Sequence, residues 1–289
     1  MAETVVVESF SLDFRTYGSG TGPKVLVTAG IHGGEASGIF AARKLMGWLE
    51  GRDLKGSVTV LPVANPVAFR NGTRSSPYDD MDLNRIFPGR PTGCASELVA
   101  HTIFARAMQA DFIVDLHCCG LFGSDYTLAL WQEFPFARDL AAKLDIPVVI
   151  QSGGTRSQLF VEACHRGIPA VIIELAGGQL GSAGGYVNRR SGENAFRAVS
   201  NLLMRLGVAE GAAPPVEPEF FGKLQEVCAH KAALWTPVIG PRSRFQAGEV
   251  LGDLDGEPVR APIAGLATSV RGDSYVFPGH LLTMAAPMA

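Results

Sequence analysis

His32 and Glu35 stand three residues apart in a glycine-rich turn, and this spacing is the most informative chemical feature of the 289-residue sequence. The turn follows the apolar run Lys24–Ala29 and passes into a segment with helical spacing, which predicts a strand, a tight turn and a helix. An imidazole nitrogen and a carboxylate oxygen brought together by such a turn form a donor set that suits zinc. The structural alternative is a His and a Glu that cap the helix.

Three further polar positions lie at strand ends or in the loops between strands: Asn84 with Arg85, His117, and Glu174. In open parallel sheets the carboxyl ends of the strands meet in one crevice, so we expect these residues to converge with the His-Glu turn. An imidazole or a carboxylate that ends a buried strand needs a partner to offset its desolvation. A satisfied core histidine and a buried salt bridge are therefore the structural alternatives for His117 and Glu174.

The elements that must position these residues alternate between aliphatic runs and helical patterns up to about residue 208. This alternation is typical of an α/β fold, a mostly parallel mixed sheet with helices on both faces. Predicted strands cover 24–29, 57–63, 111–116, 146–150 and 169–173. Predicted helices begin at residue 36 and cover 97–108, 135–144 and 157–166, and a last helix is capped by Ser191.

A proline-rich linker is predicted at 209–218, because this stretch lacks an apolar face. Short segments with turn signals follow at 219–289, which predicts a small all-β, barrel-sandwich-like domain that borders the active site. Its half-repeats resemble lipoyl and biotinyl carrier modules, yet Lys231 is the last lysine and the carrier hairpin has none. We therefore expect a catalytic domain at 1–208 and a β domain without a carrier function.

The composition is 47% hydrophobic and 18% charged with a net charge of −3, which indicates a soluble globular protein. The sequence contains no basic or acidic block and no apolar run of about 20 residues. This argues against nucleic acid and membrane partners, so a small-molecule substrate is expected. The first residues lack the features of a signal peptide, which favours the cytoplasm. Five cysteines without a C-x-x-C spacing indicate reduced thiols. A homo-oligomer remains open.

The stretch from about residue 25 to 178 resembles the succinylglutamate desuccinylase/aspartoacylase family of zinc carboxypeptidase-like deacylases. The matching motifs are, in order, G-x-H-G-x-E, N-P-x-A with T-R, D-x-D-L-N-R-x-F-P-G, D-x-H, and a strand end similar to E-x-G. Five short motifs in the correct order are highly specific together. The resemblance implies a zinc carboxypeptidase-like fold and one Zn²⁺ per chain.

The resemblance also implies the metal ligands and the catalytic group. His32, Glu35 and His117 match the zinc ligands, a set that leaves a coordination position for water. Glu174 matches the catalytic glutamate that takes a proton from this water and returns it to the leaving nitrogen. Asp115 is expected to support a ligand from behind.

Several arginines match the family's substrate contacts. Arg74 matches the arginine that polarises the scissile carbonyl, and Asn84 with Arg85 matches the pair that holds the substrate carboxylate. Asp82 is expected to orient an arginine. For the arginine that reads the acyl carboxylate in aspartoacylase, Arg156 is a substrate-binding candidate and Arg166 is another. Ala176 replaces a glycine of many relatives, a change that would narrow the pocket.

The sequence thus predicts a zinc-dependent amidohydrolase that cleaves the linear amide bond of an N-acyl amino acid. A metallocarboxypeptidase that acts on small peptides is the main alternative, since it would use the same metal and arginine groups. A non-catalytic zinc-binding or ligand-binding module is a further alternative. The identities of the acyl group and of the amino acid are left open.

Overall fold

A computed structural model describes residues 2–7, 10–120, 122–179 and 185–289. The strands are, in chain order, β1 (Ala2–Val7), β2 (Phe10–Tyr17), β3 (Lys24–Ala29), β4 (Ser57–Leu61), β5 (Phe112–Cys118), β6 (Tyr126–Ala129), β7 (Val148–Gln151), β8 (Ala170–Leu175), β9 (Gly178–Gln179), β10 (Gly185–Tyr186), β11 (Glu219–Phe221), β12 (Gln225–Cys228), β13 (Ala233–Pro237), β14 (Arg244–Phe245), β15 (Val250–Leu254), β16 (Glu257–Arg260), β17 (Gly265–Val270), β18 (Ser274–Val276) and β19 (Leu281–Pro287). The helices are α1 (Ala36–Leu49), α2 (Pro66–Asn71), α3 (Ala95–Ala107), α4 (Pro135–Ala141), α5 (Leu159–Cys164) and α6 (Arg189–Arg205), and a 3₁₀ turn spans Leu83–Arg85.

A nine-stranded mixed sheet forms the centre of the larger part, in the order β1-β2-β4-β3-β5-β8-β6-β7-β11. The run β4-β3-β5-β8 and the run β6-β7-β11 are parallel, whereas β1-β2, β2-β4 and β8-β6 are antiparallel. This mixed sheet, parallel over most of its pairs, confirms the predicted α/β class.

Helices cover both faces of this sheet. On one face α1 and α6 bury Leu45 and Val199 among the aliphatic side chains of the central strands. On the other face α3 and α5 bury Ile103 and Phe160 in a second apolar cluster. Because both faces are buried, the central strands are aliphatic at nearly every position. Within the described part of the chain, no helix is long and apolar enough to cross a membrane.

The last helix begins earlier than the sequence indicated. Asn188 is its N-cap, and the side-chain oxygen of Asn188 accepts a hydrogen bond from the backbone N–H of Ser191. The prediction of Ser191 as the cap is therefore wrong. Both residue types cap helices well, and the backbone N–H of Asn188 is anchored by the hydroxyl of Ser37 at 2.9 Å. A tertiary contact thus fixes which of the two residues precedes the first turn.

The C-terminal residues form two four-stranded antiparallel sheets, β12-β19-β17-β14 and β16-β15-β13-β18. Both sheets contribute to one apolar core, in which Trp235 is fully buried. The small all-β part is confirmed, and its described strands form two sheets rather than a single closed barrel. Strand β11 pairs with β7 in the large sheet, although it lies within the predicted 219–289 segment. The division of the chain at 208 and 219 stays a prediction.

A small apolar cluster joins the C-terminal sheets to the large sheet. It contains Tyr126, Val148 and Phe221 from the large sheet, and Leu266 and Ala286 from the C-terminal strands. A backbone hydrogen bond of 2.8 Å from Ser124 to Thr268 adds a direct link between the two parts. These contacts hold strand β17 against the carboxyl end of the large sheet.

Candidate metal and catalytic site

The turn after β3 is built from glycines that the backbone requires. Gly30 has a φ of +66°, a conformation that disfavours residues with a Cβ. A Cβ on Gly33 would lie 2.0 Å from the carbonyl carbon of Ala68, so only glycine lets α2 pack this close. The N–H of Gly33 is fixed by the carbonyl oxygen of Thr73 at 2.9 Å. The turn is therefore rigid, and His32 and Glu35 are held in place by the backbone.

Strand register brings the other two sequence-predicted groups to the same edge. His117 on β5 is the direct partner of Glu174 on β8, and Glu174 also faces Tyr126 on β6. His117 is buried and Glu174 is partly buried. The carboxyl ends of β3, β5 and β8 thus meet at one place, which is the crevice where open α/β sheets bind ligands.

His32, Glu35 and His117 form a compact buried cluster. The Oε1 atom of Glu35 lies 2.7 Å from Nδ1 of His32, and Oε2 lies 2.9 Å from Nδ1 of His117. One potential ligand atom from each residue lies within 4.8 Å of the others, so the cluster could hold a metal ion. Glu35 occupies the N-cap position of α1 but makes no capping hydrogen bond with its side chain. Its carboxylate contacts the two imidazoles instead.

A second carboxylate lies behind each imidazole. Nε2 of His32 is 3.0 Å from Oδ1 of Asp82, and Nε2 of His117 is 2.9 Å from Oδ2 of Asp115. The hydroxyl of Thr28 donates to the other oxygen of Asp115 at 2.7 Å. Such outer carboxylates fix the orientation and tautomer of metal-binding histidines. The two Nδ1 atoms and one carboxylate are a nitrogen and oxygen set that fits zinc.

Asp82 does more than the sequence predicted. The D-L-N-R motif suggests that it orients an arginine, and Oδ2 of Asp82 does accept a hydrogen bond from Nε of Arg74 at 2.9 Å. Its contact with His32, 50 residues away in the chain, carries no sequence signal. Asp82 therefore links the arginine to the histidine cluster.

The charges of the cluster shift the pKa values of its members. Burial alone would raise the pKa of Glu35, but the positive charges of His117 and His32 outweigh burial and lower it. Burial would lower the pKa of each histidine. The carboxylates of Glu35 and Asp82 raise the pKa of His32, and those of Asp115 and Glu35 raise the pKa of His117 well above its usual value. The buried imidazoles and carboxylates of the cluster thus stabilise one another electrostatically.

Glu174 has the opposite tendency. Burial raises the pKa of Glu174 to about 7, with a contribution from the nearby Glu35 carboxylate, and the positive His117 opposes this rise. Two carboxylates at one edge thus differ in their readiness to accept a proton. A carboxylate with a pKa near neutrality is suited to general base and acid work.

A cavity of about 440 Å³ opens onto this edge. Its wall combines groups from the large sheet with groups from the C-terminal strands. The lining residues are His32, Glu35, Arg74, Cys118, Cys119, Gly120, Tyr126, Glu174, Glu226, Thr268, Ser269, Leu281 and Met284. Tyr126 and the C-terminal residues of this wall were not predicted from the sequence. Strand alternation was the available signal, but it does not show which face of a β domain meets the site.

Three residues predicted to bind substrate are not on this wall. Asn84 is buried, and its Oδ1 accepts a hydrogen bond from the backbone N–H of Leu159 at 3.1 Å. Arg85 is exposed, and its Nη1 donates to the carbonyl oxygen of Asn84. Arg156 donates from Nε and Nη2 to the two oxygens of Glu162 at 2.7 and 2.8 Å, on the N-terminal side of α5. The structure therefore does not bring Arg156 to the cavity.

Residues 21–204 match the family model of the succinylglutamate desuccinylase/aspartoacylase catalytic domain. The chain is 33% identical over 213 residues to the N-alpha-acetyl-L-2,4-diaminobutyric acid deacetylase of Halomonas elongata, which covers 70% of this chain and 60% of the relative. It is 30% identical over 226 residues to the succinylglutamate desuccinylase of Pseudomonas syringae pv. tomato, with 70% and 62% covered. The aligned region thus spans about 60% of the length of these relatives.

Solved structures share the fold over nearly the whole chain. A succinylglutamate desuccinylase/aspartoacylase from Rhodobacter sphaeroides superposes with a TM-score of 0.83 at 25% identity, covering 97% of this chain and 90% of that one. The product-bound ectoine utilization protein EutE (DoeB) from Ruegeria pomeroyi gives a TM-score of 0.82 at 24% identity, covering 96% and 90%. The second likeness is evidence of the fold alone.

Proposed function

This chain belongs to the succinylglutamate desuccinylase/aspartoacylase family, and we propose on that basis that it is a zinc-dependent deacylase that hydrolyses the acyl amide bond of an N-acyl amino acid. The observation that carries the proposal is the pairing of two groups on one cavity. The buried His32, Glu35 and His117 cluster could hold a metal ion, and Glu174 lies beside His117 on the neighbouring strand. A metal site next to a separate carboxylate is what metal-assisted amide hydrolysis requires.

His32, Glu35 and His117 would hold one zinc ion per chain. The donor set fits, because two imidazole nitrogens and one carboxylate are already gathered and both rings are backed by aspartates. When bound, zinc supplies a water of lowered pKa and polarises a carbonyl oxygen. Each histidine would bind zinc as neutral imidazole, since only that form is a ligand.

Glu174 would move the proton. In its ionised form it accepts a proton from the attacking water as the new C–O bond forms. In its protonated form it donates that proton to the leaving nitrogen as the C–N bond breaks, which restores the ionised form. The raised pKa of Glu174 supports both steps, because a group that titrates near neutrality is competent as base and as acid.

Arg74 would stabilise the oxyanion that develops on the scissile carbonyl. Its guanidinium lies on the cavity wall and is oriented by Asp82, and a fixed positive charge in a cavity favours a developing negative charge. Asn84 and Arg85 remain proposed carboxylate-binding residues. They belong to the same 3₁₀ turn that Asp82 caps, and they lie outside the wall described above.

The names of the relatives suggest two substrate types. One relative is an N-alpha-acetyl-L-2,4-diaminobutyric acid deacetylase, and others are succinylglutamate desuccinylases. Both names describe an N-acyl amino acid, and they differ in the charge of the acyl group and of the side chain. We propose the shared class, an acyl group joined to the α-amine of an amino acid, as the substrate of this chain.

The test is amine release from a panel of N-acetyl, N-formyl and N-succinyl amino acids and short peptides. We expect release from at least one acyl amino acid that stops with a chelator and returns with zinc. The variant Glu174→Gln should lose turnover while it retains one zinc by metal analysis, because the amide cannot accept the proton. Release from peptides alone, or a fully active Glu174→Gln variant, would contradict the proposal.

A further inference from the structure

Glu226 is a carboxylate on the cavity wall that the proposed mechanism does not use. It lies on β12, opposite Met284 on β19, and Met284 in turn pairs with Ser269 on β17. Partners in register share one face of a sheet, and all three residues line the 440 Å³ cavity. The next residue, Val227, is buried in the core of the C-terminal sheets. Alternation along β12 therefore fixes Glu226 on the side of the cavity.

The carboxylate of Glu226 has no basic partner among the described residues. Glu226 is exposed, and its Oε2 lies 3.9 Å from Sγ of Cys228. The neighbouring wall is formed by hydroxyl and apolar side chains. An acidic group on such a wall is available to a ligand that enters the cavity.

The charges on the described wall are unbalanced toward the acidic side. Its carboxylates are Glu35, Glu174 and Glu226, and Arg74 is its one lysine or arginine. With zinc bound as proposed, the two charges of the ion balance Glu35 and Glu174, Arg74 stays paired with Asp82, and Arg85 is the proposed partner of the substrate carboxylate. The charge of Glu226 remains, and a cationic group on the substrate would neutralise it.

The arginines that could serve a second substrate carboxylate lie elsewhere. Arg156 and Arg166 both bond to Glu162, away from the cavity. Arg271 lines an adjoining cavity of about 120 Å³, where its Nε donates to the carbonyl oxygen of Leu281. A dicarboxylic acyl group, or an acidic side chain, would thus meet Glu226 without a cation on the described wall to offset it.

We infer that Glu226 selects substrates whose side chain carries an ammonium group and whose acyl group is short and uncharged. This inference rests on the proposed deacylase function, because it concerns the same cavity. Glu226 pairs with the ammonium group when the scissile amide reaches Glu174. It repels substrates that bring a second carboxylate, because two like charges brought together at a binding surface are disfavoured.

The experiment compares N-acetyl amino acids with side chains of two or three methylene groups that end in ammonium, methyl or carboxylate. We expect the wild-type protein to rank kcat/KM in that order. The variant Glu226→Gln should lower kcat/KM about tenfold for the ammonium substrates and leave the methyl substrates unchanged. The control variant Glu249→Gln removes the same charge from an exposed turn of the C-terminal part, away from the cavity. It should leave kcat/KM unchanged for both the ammonium and the methyl substrates.

Binding gives a second readout that does not depend on turnover. Zinc-loaded Glu174→Gln protein should bind the ammonium ligands about tenfold more tightly than the double variant Glu174→Gln with Glu226→Gln, measured by calorimetry. If no substrate is cleaved but this difference is found, the proposed function fails and the role of Glu226 stands.

Three results would overturn the inference. One is a wild-type preference for methyl or carboxylate side chains, or for succinyl over acetyl groups, while amine is still released. Another is an equal loss for all substrates in Glu226→Gln, which indicates a structural role. The third is equal binding by the two Glu174→Gln proteins. The deacylase proposal survives the first two results, so the two failures are distinguishable.

Discussion

Two arginine–carboxylate pairs in this protein have similar chemistry and different surroundings. Arg74 pairs with Asp82 beside the histidine cluster, and Arg156 pairs with Glu162 at the start of α5. Both guanidinium groups are substantially exposed, with side-chain exposures of 49% and 61%. The difference lies in the oxygens of the carboxylate.

Arg156 forms a fork that uses both oxygens of Glu162, and the backbone N–H of Ser157 and the side chain of Arg166 take the remaining capacity. Arg74 uses Oδ2 of Asp82 alone, and Oδ1 contacts Nε2 of His32 and accepts a hydrogen bond from the backbone N–H of Asn84. The closed pair, Arg156 with Glu162, joins the loop before α5 to that helix, whereas the open pair, Arg74 with Asp82, contacts the histidine cluster. The proposed catalytic role of Arg74 thus depends on the contact between Asp82 and His32, and Glu162 offers Arg156 no contact of this kind among the described residues.

The variant Arg74→Ala is the strongest way to test this comparison. We expect kcat to fall by about 10²–10³, because the loss of one oxyanion-stabilising donor has an effect of this size. Zinc content should be unchanged, since Arg74 is not a proposed ligand. Steady-state kinetics with metal analysis check the result. A rise in KM with kcat unchanged would assign Arg74 to ground-state binding instead.

The variant Asp82→Asn breaks the open pair on the carboxylate side. We expect zinc affinity to weaken about 10–100-fold, as for other outer partners of ligand histidines, because Nε2 of His32 loses its anionic acceptor. Competition with a chromogenic chelator measures this change. The neutral asparagine has the same shape, so an unchanged affinity would show that the contact with His32 does not support a ligand.

The variant Glu162→Gln tests the closed pair, and the expected effect is on stability. Arg156 and a backbone N–H lower the pKa of Glu162 from 4.5 to about 2, so the folded state favours the ionised form. The stabilisation is complete above pH 4.5 and is lost as the pH falls toward 2. We expect a cost of about 1 kcal/mol at pH 7, given that both arginines are exposed to solvent.

Urea unfolding of the wild type and of Glu162→Gln at pH 7 and pH 3 measures this cost. The difference between the two proteins should shrink at pH 3, because the wild-type carboxylate is then mostly protonated in the unfolded chain and the advantage of the folded ion pair declines. A difference that is constant with pH would mean that packing, not charge, stabilises this corner.

The variant Arg156→Ala should have the smallest effect of the four. We expect kcat/KM to change by less than about twofold, because exposed ion pairs contribute little and Arg156 lies away from the cavity. The same kinetic assay used for Arg74→Ala provides the comparison. A tenfold loss specific to succinyl substrates would restore Arg156 as a reader of the acyl group and remove the contrast between the two pairs.

The central fold was accessible from sequence because its signals are local. The run at 24–29 and the helix that follows it were predicted at the positions where β3 and α1 begin. Their aliphatic and helical spacing follows directly from burial on both faces of a sheet. Strand β6 was missed, because four residues with a mixed pattern carry little periodicity.

The candidate site shows the same division. The glycine turn and the D-x-H strand end identify His32, Glu35 and His117 by short spacing, and the structure gathers these residues in one cluster. Asn84, Arg85 and Arg156 were selected by motif or by residue type, and their contacts in the fold lie outside the cavity wall. Residue type alone did not show which guanidinium faces the cavity.

The sequence by itself determined the α/β class, the turn that carries His32 and Glu35, and the strand ends at His117 and Glu174, because each depends on residues close together in the chain. Tertiary structure alone decided that Asp82 backs His32, that Arg156 is taken by Glu162, and that Glu226 lines the same cavity. Those contacts depend on strand order and on the docking of the C-terminal sheets. The packing energy of many residues that are distant in the chain determines the strand order and the docking, and no short sequence pattern predicts it.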